Sequence, residues 1–241
     1  MDTIETNNVE IPRLGFGTFR MPGGDCQPVV ESALALGYRH IDTAAMYENE
    51  DAVGRALASS GLARSDLFAT TKAWHDQLGT KGTIRRAFET SLGELRLDFV
   101  DLYMIHWPSR DMDMAPVMEA LTSLRDEGHT RAIGVCNFNI PMMRRAVDDI
   151  CAPIAALQVE YHPFLDQYAL LSWLTGPETD LEQQAAAYAA VNGSITKTTP
   201  TMVTAVMPPR SMTAVCATRS PRRDYVEGGK GVDAGVRLAR C

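Results

Sequence analysis

Apolar positions along the chain fall into short runs and helical stripes that alternate. Leu14-Gly15-Phe16-Gly17 reads as a short strand, and Pro28 to Leu36 as a helix with proline in its first turn and Gly37 just past its end. Tyr38 to Asp42 forms a second strand, apolar at Tyr38 and Ile41 and stopping at an acid, and Asn49 to Ala58 makes a second helix closed by Gly61. Leu67 to Lys72 is a third strand, and the helix after it carries Ile84, Phe88, Leu92 and Leu95 at helical spacing. Phe99 to His106 is a long apolar run ending in a histidine. A helix with Val117, Leu121 and Leu124 on one face follows, and Gly128 ends it. Ala132 to Val135, Pro141 to Ile150 and Ala155 to Val159 supply a fifth strand, a fifth helix and a sixth strand.

Strands alternating with helices of this length through short loops mean parallel strands linked by crossovers, in either a doubly wound sheet or a (β/α)8 barrel. Polar or ionisable residues sit at the C-terminal ends of successive strands: Asp42, Lys72, His106, Asn137 and Gln158. A barrel brings those ends to one mouth, whereas an open sheet spreads them along an edge. The convergence favours the barrel. No Gly-x-Gly-x-x-Gly stands between a strand and a helix, and Gly15-Phe16-Gly17 is too short to be one, so a Rossmann reading loses its main support. The fold class is therefore α/β of the (β/α)8 TIM-barrel type, incomplete, with six of the eight units recognisable.

Composition narrows the function classes. The 241 residues are 45% hydrophobic and 22% charged, as in a soluble globular chain, and a net charge of -7 repels a polyanion. Nucleic acid is not an expected partner. No apolar run reaches the roughly 18 residues of a membrane span, and Met1 to Glu5 lacks the basic segment and apolar core of a secretory signal, so a cytoplasmic protein without a membrane partner is expected. The five cysteines, Cys26, Cys136, Cys151, Cys216 and Cys241, are scattered and odd in number, which suits buried or idle thiols and neither a zinc site nor a disulfide framework.

Every candidate also has a plain structural reading. A single Asp or Lys at a strand end is more often a solvated loop residue or helix cap than a chemical group. His106 has a stronger claim, because Val100 to Ile105 before it and Trp107-Pro108 after it hold a polar group at the edge of a buried strand, where it needs a partner. A hydrogen-bonded core histidine is the competing reading at even weight. Phe19, Trp74 and Trp107 pack as aromatics near strand ends do, and together they would line an apolar pocket at the same mouth.

The residues resemble the aldo-keto reductases. Gly15-Phe16-Gly17-Thr18, Gly37 to Ala44 with Tyr47-Glu48-Asn49-Glu50, Thr71-Lys72, Asp101 to Pro108, Gly134 to Phe138 and Gln158 to Pro163 carry the likeness, in order and at matching spacing, over about residues 10–173. Within the family the chain looks most like the bacterial 2,5-didehydrogluconate (methylglyoxal) reductase branch. The resemblance implies a (β/α)8 barrel that takes NADPH without a Rossmann fold and reduces aldehydes or ketones of small molecules, such as 2,5-diketogluconate or methylglyoxal, to alcohols. It implies a monomer whose partner is a small carbonyl substrate, and no metal.

By the same resemblance Asp42, Tyr47, Lys72 and His106 are the catalytic set. Hydride arriving at a carbonyl carbon leaves negative charge growing on oxygen, which a donor must hold or protonate. Tyr47 supplies the proton, Lys72 lowers the phenol pKa toward the working range, Asp42 fixes Lys72, and His106 donates to the carbonyl oxygen. Thr18, Asn137 and Gln158 fall to the cofactor, and Phe19, Trp74 and Trp107 to the substrate pocket. Cys136 stands where the family has serine.

The likeness stops after Trp173, which divides the chain into a barrel portion, 1–173, and an atypical tail, 174–241, of a composition that tends to disorder: a shifted reading frame or spliced foreign end is the favoured reading, and a real lineage-specific extension, such as a basic interaction arm around Arg219 to Arg223, is the alternative. Leu, Ile, Val and Phe make up 11 of the last 68 residues against 42 of the first 173, and the tail carries 8 basic and 6 acidic residues. Compositions this poor in large aliphatics tend toward disorder. Thr196 to Thr204 has neither strand alternation nor a helical face, and only Pro177 to Val191 has helical spacing. The seventh and eighth units that bind the adenosine phosphate in the family are not recognisable, and strands one and six are expected to keep unpaired edges. Two other functions stay open: an inactive or weakened remnant with an incomplete cofactor site, and a metal-dependent barrel hydrolase using His40, Asp42 and His106.

Overall fold

The computed structural model describes residues 2–161 and 165–175, together with the strands Met202–Val206, Val215–Cys216 and Ala239–Arg240. It opens with a feature that the helix and strand periods did not single out, a hairpin of β1 (Thr3–Thr6) and β2 (Val9–Pro12). Asn7 and Asn8 turn it with φ of 44° and 62°, the left-handed pair that a two-residue hairpin demands and that asparagine tolerates.

Six parallel strands follow: β3 (Gly15–Gly17), β4 (His40–Asp42), β5 (Phe68–Ala73), β6 (Val100–Ile105), β7 (Thr130–Cys136) and β8 (Ile154–Glu160). Between them run α1 (Gly23–Ala35), α2 (Glu50–Ser59), α3 (Lys81–Leu95), α4 (Met114–Asp126) and α5 (Ile140–Arg144), and α6 (Tyr168–Thr175) comes after β8. This is the expected succession of β/α units, with neighbouring strands paired in chain order. Among the described residues no helix is long and apolar enough to cross a membrane.

Three elements differ from expectation. Helix α1 begins at Gly23, so Pro28 lies inside it. The N–H that proline lacks would have gone to the carbonyl of Gly24, which is exposed and open to water, and buried Cys26 and Val30 hold the added turn to the core. The fifth helix widens after α5 into a π turn, Arg145–Asp149. The third difference is in the tail. Met202–Val206 forms β9, which pairs antiparallel with β8 and covers the edge of the sixth parallel strand that was expected to stay open. Its β-branched Val203, Thr204 and Val206 suit a strand, and β8 offers a row of edge N–H and C=O groups to pair. Val215–Cys216 (β10) and Ala239–Arg240 (β11) make a small antiparallel pair. The helical reading of Pro177 to Val191 lies outside the described residues.

Strand parity sorts the side chains into two cores. Ala73, Tyr103, Ile105, Ile133, Val135, Leu157 and Val159 face the helices, meeting Val53, Leu57, Ile84, Phe88, Val117, Leu121 and Leu124. Phe68, Leu102, Met104, Ala132, Cys136 and Ala156 face the other way, inside the curl of the sheet, where Val9 and Ile11 of the hairpin close its lower end. Asn7 Nδ2 donates to the carbonyl of Ile154 at 3.1 Å, fastening the hairpin turn to the start of β8. The helices approach one another closely. A Cβ on Gly54 of α2 would lie 2.8 Å from the carbonyl oxygen of Leu95 and nearer still to that of Glu94. Gly54→Ala must therefore push α2 and α3 apart, and we expect it to cost about 1–3 kcal/mol, read as a lower urea midpoint at unchanged slope.

Candidate active site

The inward face of the sheet changes character at its C-terminal end. Phe68, Leu102 and Ala156 are apolar, and two or four residues further along the same face come Lys72, His106 and Gln158, with Asp42 at the end of β4. Parity alone thus stacks a polar layer on an apolar one.

Lys72 is the centre of that layer. It is fully buried, and its ammonium donates to Asp42 Oδ1 at 2.5 Å and to the Thr43 carbonyl at 2.8 Å. Gln158 Nε2 donates to the other carboxylate oxygen of Asp42 at 2.9 Å. Burial alone would lower the lysine pKa, but attraction to its neighbours, Asp42 foremost, carries it above the ordinary lysine value. The ammonium is charged at any working pH.

Tyr47 ends a 3-10 turn, Ala45–Tyr47, and Glu48 turns the chain with φ 54°. Lys72 Nζ lies 5.2 Å from the Tyr47 ring centroid, and the His106 ring packs edge-on to Tyr47 at 5.3 Å. Burial raises the phenol above its ordinary value, and the Lys72 charge opposes the rise without reversing it. Lys72 does act in the expected direction, lowering the phenol toward the working range, but desolvation is the larger effect and the net change is upward. His106 is buried with Nδ1 unpartnered, and its pKa is pushed down to about 4, first by burial and then by Lys72. Its imidazole is neutral and carries one N–H.

Of the other residues singled out by sequence, Phe19 packs at a tilt against Tyr47 at 5.1 Å and Trp74 packs edge-on to His106 at 5.1 Å, so both line the mouth. Trp107 is half exposed and joins none of these ring contacts. Asn137 adopts φ 62° and donates from Nδ2 to the His106 carbonyl at 2.9 Å, which ties the end of β7 to that of β6. Cys136 is buried, its pKa pushed up to about 12 by burial, and its neutral thiol donates to Gln158 Oε1 at 3.7 Å. Thr18 is fully buried, its hydroxyl 2.9 Å from that of Thr43.

Reasoning from sequence missed the part played by Asn49. Its amide donates at 2.9 Å to the carbonyls of both Thr18 and Met21, and it accepts from the Thr43 hydroxyl at 3.1 Å. One buried side chain thus ties the Tyr47 loop to the loop after β3. Asparagine just before an apolar helix reads as a cap, which masks this longer reach. Asn49 makes no side-chain cap bond. His40 lies deeper, with Nε2 2.9 Å from the Thr70 hydroxyl. Among the described residues no three His, Cys, Asp or Glu side chains are grouped to hold a metal, so the hydrolase reading has no site there.

A parallel β/α sheet with this polar mouth is the framework of the family whose motifs the chain carries. The Aldo/keto reductase family model matches residues 13–195, beyond the point where the motifs fade, and the chain belongs to that family. It is 43% identical over 164 residues to "Methylglyoxal reductase DkgA" of Yersinia pestis and 41% identical over 183 residues to "Glyoxal reductase" of Bacillus subtilis. The alignments take in 68% and 75% of this chain but 58% and 66% of those relatives, so the chain spans less than two thirds of either. Among solved structures it is similar to an aldo/keto reductase from Brucella melitensis, with TM-score 0.69 and 39% identity over 72% of this chain and 68% of that one. It is similar also to MGS-M4, an aldo-keto reductase from a deep-sea metagenome, with TM-score 0.69 and 38% identity over 72% and 64% of the two chains.

The site makes a direct forecast for His106. Its ring nitrogens, observed by NMR, should keep the neutral pattern down to about pH 5, where an ordinary histidine is protonated. A midpoint above pH 6 would mean that the mouth is wet and that Lys72 is not beside it.

Proposed function

We propose that the chain reduces small aldehydes and ketones, such as methylglyoxal or 2,5-diketogluconate, to alcohols with NADPH. The observation that carries this reading is the buried Lys72–Asp42 pair beneath Tyr47, with neutral His106 edge-on to the same phenol. The donor set suits the nicotinamide end of the cofactor. Asn137 and Gln158 place primary amides at the ends of adjacent strands, and an amide matches a carboxamide as both donor and acceptor. With Thr18 at the end of β3, they are the residues that would hold it. NADPH, when bound, supplies the hydride.

The chain's own groups handle the oxygen. Neutral His106 donates its one N–H to the carbonyl oxygen and orients it. Tyr47, kept protonated by burial, gives its proton to that oxygen as the C–O π pair localises there. The tyrosinate left behind forms beside the Lys72 ammonium, which lowers the cost of its charge in a dry site. Asp42 keeps Lys72 charged and in place. Phe19 and Trp74 give a small substrate an apolar wall and exclude water.

A weakened cofactor site is the second reading, and β9 favours it. This strand runs antiparallel to β8 with Thr204 opposite Gln158, where a further parallel β/α unit would bring its own C-terminal loop to the mouth. Titration with NADPH, followed by its fluorescence, separates the two. Measurable binding together with methylglyoxal-dependent NADPH oxidation supports the reductase, and Tyr47→Phe should lower kcat by about 10²-fold or more while the protein stays folded. Unchanged turnover in that variant would remove Tyr47 as the acid. No NADPH binding at millimolar concentration would establish the weakened site.

A further inference from the structure

Among the described residues two buried acids stand outside the mechanism: Asp101, which is paired with Arg64 and Arg131, and Glu50, which has no such pairing. Glu50, the first residue of α2, is 2% exposed and lies between the sheet and the helices. Its carboxylate accepts from the Thr71 hydroxyl at Oε1, 2.5 Å away, and from the Ser91 hydroxyl of α3 at Oε2, 3.0 Å away. Both donors are neutral, and among the described residues no cation is bonded to it. A carboxylate so placed carries a desolvation cost that two hydroxyls do not offset, and its pKa is accordingly pushed up to about 6, by burial first. Stability does not explain an ionisable group here.

Its position in the chain does. Glu50 follows Tyr47 by three residues, and Thr71 immediately precedes Lys72 on β5, where successive side chains point to opposite faces. The bond from Thr71 to Glu50 therefore fastens the Tyr47 loop to the strand that holds Lys72, from the far side of the sheet. Asn49 fastens the same loop in the other direction, to Thr18 and Met21. Tyr47 stands just before this pair of anchors.

We propose that Glu50 is a positioning residue for Tyr47, setting the placement of the phenol over Lys72 by clamping its loop to Thr71 and Ser91. The proposal rests on Tyr47 being the proton donor of the reductase reading. Hydrogen bonds do the clamping, so glutamine, which can accept from Thr71 and donate to Ser91, replaces glutamate and alanine does not.

The ultraviolet titration of the Tyr47 phenol, isolated by difference against Tyr47→Phe, tests this without any turnover. Glu50→Ala should move the phenol down toward an ordinary tyrosine, because a loosened loop admits water and burial is the larger cause of its rise. Glu50→Gln should leave it in place. With methylglyoxal and NADPH, Glu50→Ala should lower kcat about tenfold at a KM within about twofold, and Glu50→Gln should restore kcat. An unmoved phenol and unchanged kcat in a folded Glu50→Ala would overturn the proposal, as would a folded Glu50→Gln that behaves like alanine. Should Glu50→Ala not fold, Thr71→Val and Ser91→Ala remove the bonds singly and carry the same test. If the parent protein reduces nothing, the reductase reading fails, while the phenol titration still decides the clamp.

Unfolding adds an independent check. Glu50 faces Glu94 from α3, Lys72 from β5 and Tyr103 from β6, and of these only Lys72 favours its charged form. An acid whose folded pKa is raised binds more protons folded than unfolded, so between about pH 4.5 and 6 it makes stability fall as pH rises. His106, lowered by folding, acts oppositely in an overlapping range but is common to both proteins. Glu50→Gln should therefore unfold at a higher urea concentration than the parent at pH 8 and approach it at pH 4.5; a lower midpoint at pH 8 would count against an uncompensated carboxylate.

Discussion

A lysine ammonium with no exposure to water is the constraint on which the mouth of this sheet depends. Lys72 stays charged inside the curl only because Asp42 and the Thr43 carbonyl take two of its donors at 2.5 and 2.8 Å. Removing either charge of such a pair leaves the other buried and alone, which typically costs about 3–5 kcal/mol. The pair in turn requires β4 and β5 to sit in the register that places Asp42 opposite Thr70, two residues short of Lys72. From that fixed charge the rest follows. Lys72 helps keep His106 neutral and limits how far burial raises Tyr47, while Asp42 holds the amide of Gln158 with its second oxygen.

Much of this was legible in the chain because it follows from two short-range rules. Alternation of side chains along a strand, together with polar residues at strand ends, was enough to bring Asp42, Lys72, His106 and Gln158 to one layer, and parallel β/α order placed their strands side by side. Packing of Tyr47 and Trp74 against His106, and of Phe19 against Tyr47, follows from loops short enough to have little choice. What escaped sequence reading has specific causes. The N-terminal hairpin turns on Asn7-Asn8 between the apolar alternates Ile4, Val9 and Ile11, a signal present but outshone by the stronger β/α pattern. Asn49 was hidden because its type and place are those of a helix cap, although its bonds go to another loop. For Tyr47 the sign of the pKa change depended on how much water the fold removes, which no spacing of residues reports.

The tail differs in kind. A strand is stabilised by what it pairs with, and β9 has a weak pattern of its own but a free edge of β8 beside it. Low aliphatic content over 174–241 is an average across 68 residues, and five of them are sufficient to pair an edge.

Beside β8, the direction of β9 separates two parts of the proposed chemistry. Asp42, Tyr47, Lys72 and His106 lie on units running from β4 to β6, so none of them stands on the strand that β9 flanks. Gln158 is the exception, because it sits on β8 itself, between Asp42 on one side and Thr204 of β9 on the other. Its amide is thus the one side chain that both steadies the Lys72–Asp42 pair and borders the region where a parallel neighbour would have brought a further loop. In the proposed site the proton-handling groups thus lie away from β9, and Gln158 is where they meet the strand beside it.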